Sequence, residues 1–168
     1  MATFDMTTSA TAGVSTSSIA AHNSSEKVAY SIEATLDIAE FIAAGGTVGS
    51  ADVFQLLEIP ANSVILSAGA EILTVFTGTS VTVDVGTNAG DTIIDGGPTN
   101  ALAYPAKGTN GATLGTFSAL VTAADTIDVK VIAGSSDCTA GKIRVWAVVA
   151  DIADKSAAAT SAARDALA

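Results

Sequence analysis

From position 28 the chain alternates between apolar and polar side chains with a period of two. Val28, Tyr30, Ile32, Ala34, Leu36 and Ile38 fall on one side, and Ser31, Glu33, Thr35 and Asp37 on the other. Successive side chains of an extended chain point to opposite faces, so this run predicts a half-buried strand. The next stretch, DIAEFIAAGG (37–46), predicts a short helical turn stopped at Gly45-Gly46, a common helix-ending signal. Residues 52–59 read as a strand buried on both faces and ended by Pro60-Ala61-Asn62. Further strands are expected at 64–66, 71–77 and 80–85, the last with Val81, Val83 and Val85 inward and Thr82 and Asp84 outward.

Residues 86–115 are rich in Gly, with GTN turn triplets at 86–88 and 108–110 and room for a short strand at 91–94. Strands resume at 116–122 and at 126–133, where Ile127, Val129 and Val131 alternate with Asp128 and Lys130. In the last strand, 142–152, Ile143, Val145, Ala147 and Val149 form one face. The other face begins with Lys142 and Arg144 and turns apolar at Trp146, Val148 and Ala150. Its first half is expected to meet water on one side and its second half to be covered on both. A 126–133/142–150 hairpin would bring Asp128 across or diagonal to Lys142 or Arg144.

About eight short strands with Gly/Asn turns and no long central helix predict an all-β fold, an antiparallel β-sandwich of jelly-roll-like form. The β-domain spans 28–152. Residues 1–27, rich in Thr, Ser and Ala without a sustained period, form an extended N-terminal arm. By composition this arm is either disordered or ordered on a neighbouring subunit. Residues 153–168 form an Ala-rich C-terminal helix or tail, with Asp154 or Ser156 as N-caps and an apolar face made almost wholly of Ala.

Composition changes this picture in one respect. Charged residues make up 14% of the 168 positions, against about 25% in ordinary globular domains. Ala, Thr, Ser and Gly fill the gap. Such a surface can stay in contact with protein because few charges must be desolvated. A compact β-domain with small side chains would have the same composition. The net charge is −10 and the seven basic residues are scattered, so no basic stripe exists to replace counterions along a phosphate backbone. No run approaches the length of a membrane-spanning helix, and the first residues lack the basic and apolar regions of a secretory signal. The expected protein is soluble, with neither nucleic acid nor membrane as partner.

Candidate chemistry is sparse. His22, the one histidine, sits in the arm, where no rigid frame holds it as a base. Cys138 is the one cysteine, so neither an internal disulfide nor a Cys-based zinc site is available, and an ordinary thiol is expected. Residues 137–143 look like the end of a phosphate-binding loop, but Ser136 stands where its first glycine would be. Ile143 follows Lys142, and a strand follows where a helix is required. Asp84, Asp91 and Asp95 flank one Gly/Asn loop, and such oxygen-rich loops can bind Ca²⁺, although Asp is common in turns for its local capping. Trp146 and Tyr104 read as core or interface residues, and the Asn23-Ser24-Ser25 sequon has no export signal to give it meaning. No catalytic, cofactor or metal residue is assigned, and an enzyme is not expected.

The segments VFQLLEIPANSVILSAGAEILT (53–74), TVDVG (82–86), AADTIDVKV (123–131) and TAGKIRVWAVVADI (139–152) together resemble small structural proteins of tailed-bacteriophage particles. The resemblance covers about 28–152 and lies in the succession of strands and turns. Within that group it points to head decoration (cement) proteins. It implies a virion protein on the outer capsid surface, made in the host cytoplasm, with the major capsid protein and its own copies, as a homotrimer, for partners. A tail or neck structural protein is a near alternative. A surface β-sandwich binding glycan through the 86–115 loops is the alternative from another class.

Overall fold

The computed structural model describes residues 2–5, 14–18, 29–88, 90–102, 119–134 and 138–152. The strands are β1 (Thr3–Asp5), β2 (Val14–Ser18), β3 (Ala29–Asp37), β4 (Asp52–Ile59), β5 (Ser63–Thr74), β6 (Thr82–Thr87), β7 (Ile94–Pro98), β8 (Ala119–Val121), β9 (Asp125–Ile132) and β10 (Lys142–Asp151). One helix, α1 (Ile38–Ala43), lies between β3 and β4. The fold is all-β, in two five-stranded sheets ordered β1-β4-β9-β6-β7 and β2-β3-β10-β5-β8. Every pairing is antiparallel except that of β1 with β4, which is parallel. From β3 to β10 the chain changes sheet at each connection except β6 to β7, which pair directly.

The period-two pattern is what builds the core. Ile32, Ala34 and Leu36 of β3 and Ile143, Val145, Ala147 and Val149 of β10 point inward from one sheet. Phe54, Val83, Val85, Ile127, Val129 and Val131 point inward from the other, and all join one buried cluster. At Asp37 the alternation ends and α1 begins. The Asp37 carboxylate accepts from the N–H groups of Ala39 (3.0 Å) and Glu40 (3.3 Å) as N-cap. The helix stops at Gly45, whose φ of 95° a side chain would strain. Its Phe41 ring meets Phe54 and Phe4 at centroid distances of 5.3 and 4.9 Å, so β1, α1 and β4 close the core along one edge.

Several expectations need correction. β9 and β10 do not form a hairpin: β9 pairs with β4 and β6, and β10 with β3 and β5, in the opposite sheet. Alternation has the same period in a hairpin and in a sheet-to-sheet crossover, so the pattern could not separate them. Asp128 accordingly does not face Lys142 or Arg144. It is buried, with its carboxylate accepting from Thr126 Oγ1 at 2.6 Å. The strands expected at 64–66 and 71–77 are joined in one continuous strand, β5, which ends at Thr74, so 75–77 belong to the following loop. The small residues Ser67-Ala68-Gly69-Ala70 join the two, and Gly69 lets the strand pass beneath Trp146. A methyl group at Gly69 would lie 2.8 Å from Trp146 Cζ2.

β7 lies three residues later than the expected 91–94 strand, because Gly96-Gly97-Pro98 reads as turn although an edge strand tolerates it. The strand expected at 116–122 is described as β8, with 116–118 outside the described residues. The outer face of β10 is half-buried from Lys142 to Ala150, so its apolar half is not fully covered on both sides as expected. Residues 52–59 do form a strand buried on both faces, apart from half-buried Gln55 and exposed Glu58. Two pieces of the N-terminal arm, β1 and β2, pair with the chain's own β4 and β3. Main-chain pairing needs no apolar period, so composition did not reveal it. The C-terminal helix or tail at 153–168 lies outside the described residues.

Candidate functional site

The strand registers bring four connections to one end of the molecule. Lys142 stands opposite both Asp37 and Thr74, and Thr82 stands opposite both Ile132 and Pro98. The β3–β4, β5–β6 and β9–β10 connections and the segment after β7 therefore emerge together. They are tied to one another through the main chain, and Thr77 is the centre of the network. Its N–H donates to Ala140 O (2.9 Å), and its Oγ1 accepts from the N–H groups of Ala140 (2.8 Å) and Thr139 (3.2 Å). Its Oγ1 also lies 2.8 Å from Thr139 Oγ1. Phe76 N donates to Thr99 O (3.1 Å), Gly134 N to Thr79 O (3.0 Å) and Ile38 N to Gly141 O (2.9 Å). Ser50 Oγ donates to Ala133 O at 2.8 Å and Thr99 Oγ1 to Val81 O at 2.6 Å. Ordered, mutually bonded loops of this kind present a preformed surface.

That surface carries no charge among its described loop residues, 43–51, 75–81, 99–102, 133–134 and 138–141. Val75 and Leu102 stand out from it at 40% and 70% exposure, beside exposed Thr77, Gly78, Thr79 and Ser80. Among the described residues the nearest charges are buried Asp52, whose carboxylate accepts from Gly49 N at 2.8 Å, Glu40 of α1, and the pair at the border, where Lys142 Nζ lies 2.7 Å from Asp37 Oδ2. Burial pushes the Asp37 carboxyl up, but the Lys142 ammonium and the N–H groups of Glu40 and Ala39 outweigh it and hold the carboxyl below its ordinary value. The same contact raises Lys142 above its usual range. Burying such an end against another protein desolvates few charged groups. The low charge content was visible in the composition. Its concentration on one end was not, because the end is assembled from four segments far apart in sequence.

The residues singled out for chemistry are not gathered. Asp84 is 8% exposed, with its carboxylate 3.4 Å from Lys130 Nζ and accepting from Gly96 N at 2.9 Å. It is therefore buried where the alternation placed it outward, and Asp91 and Asp95 are exposed. Among the described residues no group of three or more His, Cys, Asp or Glu is placed to hold a metal ion. Cys138 is buried with its Sγ 3.3 Å from Ala140 O, and desolvation pushes the thiol above its ordinary value, away from a reactive thiolate. Lys142 is engaged by Asp37 and Arg144 by Glu71, in each case the partner opposite in the neighbouring strand. Trp146 lies half-buried over Gly69 on the outer face of β10. His22, Asn23, Tyr104, Ser136 and Asp137 lie outside the described residues, as does 103–115 of the 86–115 loop region.

Comparison with known proteins adds no relative. No family model, curated protein or solved structure matches the chain.

Proposed function

We propose that the protein is a virion structural protein, a head decoration (cement) protein that seats on the outer face of a capsid lattice and stabilises contacts between capsomers. The observation that carries this reading is the end built from four mutually bonded loops, whose described loop residues carry no charge. A clamp between capsomers needs contact area and a surface that is cheap to desolvate, and this end offers both. The strand order supports a jelly-roll sandwich within that reading. β3, β10, β5 and β8 form one sheet, and β4, β9, β6 and β7 form the other, with a change of sheet at every connection but one. Double-sheet β-folds wound in this way recur among viral capsid and lectin domains. The net charge of −10 suits an outer surface that does not take up DNA. The major capsid protein and further copies of the chain, as a homotrimer, are the partners in this reading.

The test is reconstitution. Purified protein is added to capsids stripped of it, and both bound protein and the temperature of particle disruption are measured. Binding that raises the disruption temperature, and that is lost in Val75→Asp and Leu102→Asp, is the expected result. Both side chains are exposed, so these variants should fold normally. Wild-type protein that leaves the particles unchanged, or variants that bind as well as wild type, would overturn the reading.

A further inference from the structure

Away from the loop end, the outer face of the β2-β3-β10-β5-β8 sheet carries a second, different surface. Trp146, Val148 and Ala150 of β10 lie beside Val64 and Leu66 of β5, with Leu120 of β8 opposite Val64. Leu66 and Leu120 are 47% and 55% exposed, and the three β10 residues are half-buried. The register shift at Val148/Val149 turns Leu66 outward, so the apolar positions form one continuous patch. Trp146 lies over Gly69 with Glu33 on its other side, and Val148 stands between the small residues Ser67 and Ser31.

We propose that this patch is the docking site for the chain's own C-terminal segment, residues 153–168, bound as an amphipathic helix. Two observations select that occupant. The first is position: β10 ends at Asp151, Ile152 N is fixed to Asn62 O at 2.9 Å, and the segment therefore starts at the patch margin. Its sixteen residues span about 24 Å as a helix. The patch from Ala150 back to Trp146 is about 13 Å at strand rise. The second is pattern. At helical spacing Ala159, Ala162, Ala163, Ala166 and Leu167 share one face, and Thr160, Ser161, Arg164 and Asp165 share the other. A face of alanines lets a helix axis approach closely, which suits a sheet surface levelled by Gly and Ser, and Leu167 supplies the one large apolar contact. This inference goes beyond the capsid reading and stands or falls without it, since it concerns the isolated chain.

Trp146 is the one tryptophan, so it reports on its own cover. Emission and acrylamide quenching are compared for the full chain, a chain ending at Ile152, and the full-length variant Ala163→Glu. Glutamate keeps helix propensity while placing a charge on the docking face. The docked segment predicts a red shift and a marked rise in quenching for both altered chains. A synthetic 153–168 peptide should reverse both changes in the shortened chain. Equal emission and quenching in all three proteins would overturn the proposal. So would cover of Trp146 that appears only as protein concentration rises, which would assign the patch to a second copy. If the shortened chain fails to fold, Ala163→Glu alone decides between these outcomes.

Discussion

Asp37 stands at the junction of the β3 pattern, the α1 cap and the border of the loop end, and its removal has a predictable size. One oxygen accepts from the N–H groups of Ala39 and Glu40, and the other meets Lys142 Nζ. α1 has six residues, too few to be stable without its cap and its packing. Its Phe41 is 9% exposed against Phe4 and Phe54, so loosening the helix opens an edge of the core. Replacing a capping Asp by Ala costs about 1 kcal/mol, whereas Asn retains most of the cap. The pair with Lys142 adds little, because that ammonium is in water. Asp37→Ala should therefore destabilise by about 1 kcal/mol, and Asp37→Asn and Lys142→Met by clearly less. Equilibrium urea unfolding read at unchanged m-value measures this.

The acid dependence follows from the direction of the Asp37 shift. Its folded-state value lies below the ordinary 3.8, so its ionised form contributes stability at neutral pH, and that contribution is lost as pH falls through the folded value. The gap between wild type and Asp37→Ala should narrow below about pH 4. Asp37→Asn as damaging as Asp37→Ala, or a gap that is unchanged in acid, would refute the capping argument.

Other consequences follow from particular contacts. Phe4→Ala removes a half-buried ring stacked 5.1 Å from Phe54 and should cost about 1–3 kcal/mol, seen as a lower urea midpoint and faster hydrogen exchange in β1 and α1. Gly141 has φ of 149°, and a methyl group there would lie 2.5 Å from Phe76 Cγ, so Gly141→Ala should lower stability by about 2 kcal/mol or more in thermal unfolding. The Cys138 thiol, buried and raised, should react with a disulfide reagent only after unfolding, and rapid labelling of the native protein would contradict its placement.

The inward positions of β3, β6, β9 and β10 were legible because burial on one face imposes a period of two. Sheet membership was not, because Lys142 and Arg144 find partners in Asp37 and Glu71, 105 and 73 positions away, and nothing local marks those partners. Asp84 and Asp128 hold the outward positions of the alternation yet are buried, Asp84 engaged by Lys130 and Gly96 N and Asp128 by Thr126 Oγ1, contacts that an apolar period does not register. The Gly45 stop was readable, since helix ends depend on a few adjacent residues, whereas the alternation placed Asp37 on the outer face of β3 and did not mark it as the α1 cap. The lack of charge among the described residues of the loop end was foreshadowed in composition, but that end exists only where four loops meet. Of the loop region offered for glycan binding in the alternative reading, 86–115, the described residue Thr99 joins the network by accepting from Phe76 N and donating to Val81 O.

The central claim, that the loop end seats the protein on a capsid lattice, is tested most directly by counting. Quantitative mass spectrometry of purified particles, taken from cells that make this chain, gives its ratio to the major capsid protein. The account predicts a ratio near one to one or another value fixed by the lattice. A handful of copies per particle would contradict the decoration role and move the chain to the tail or neck, and its absence from particles would contradict the structural reading altogether.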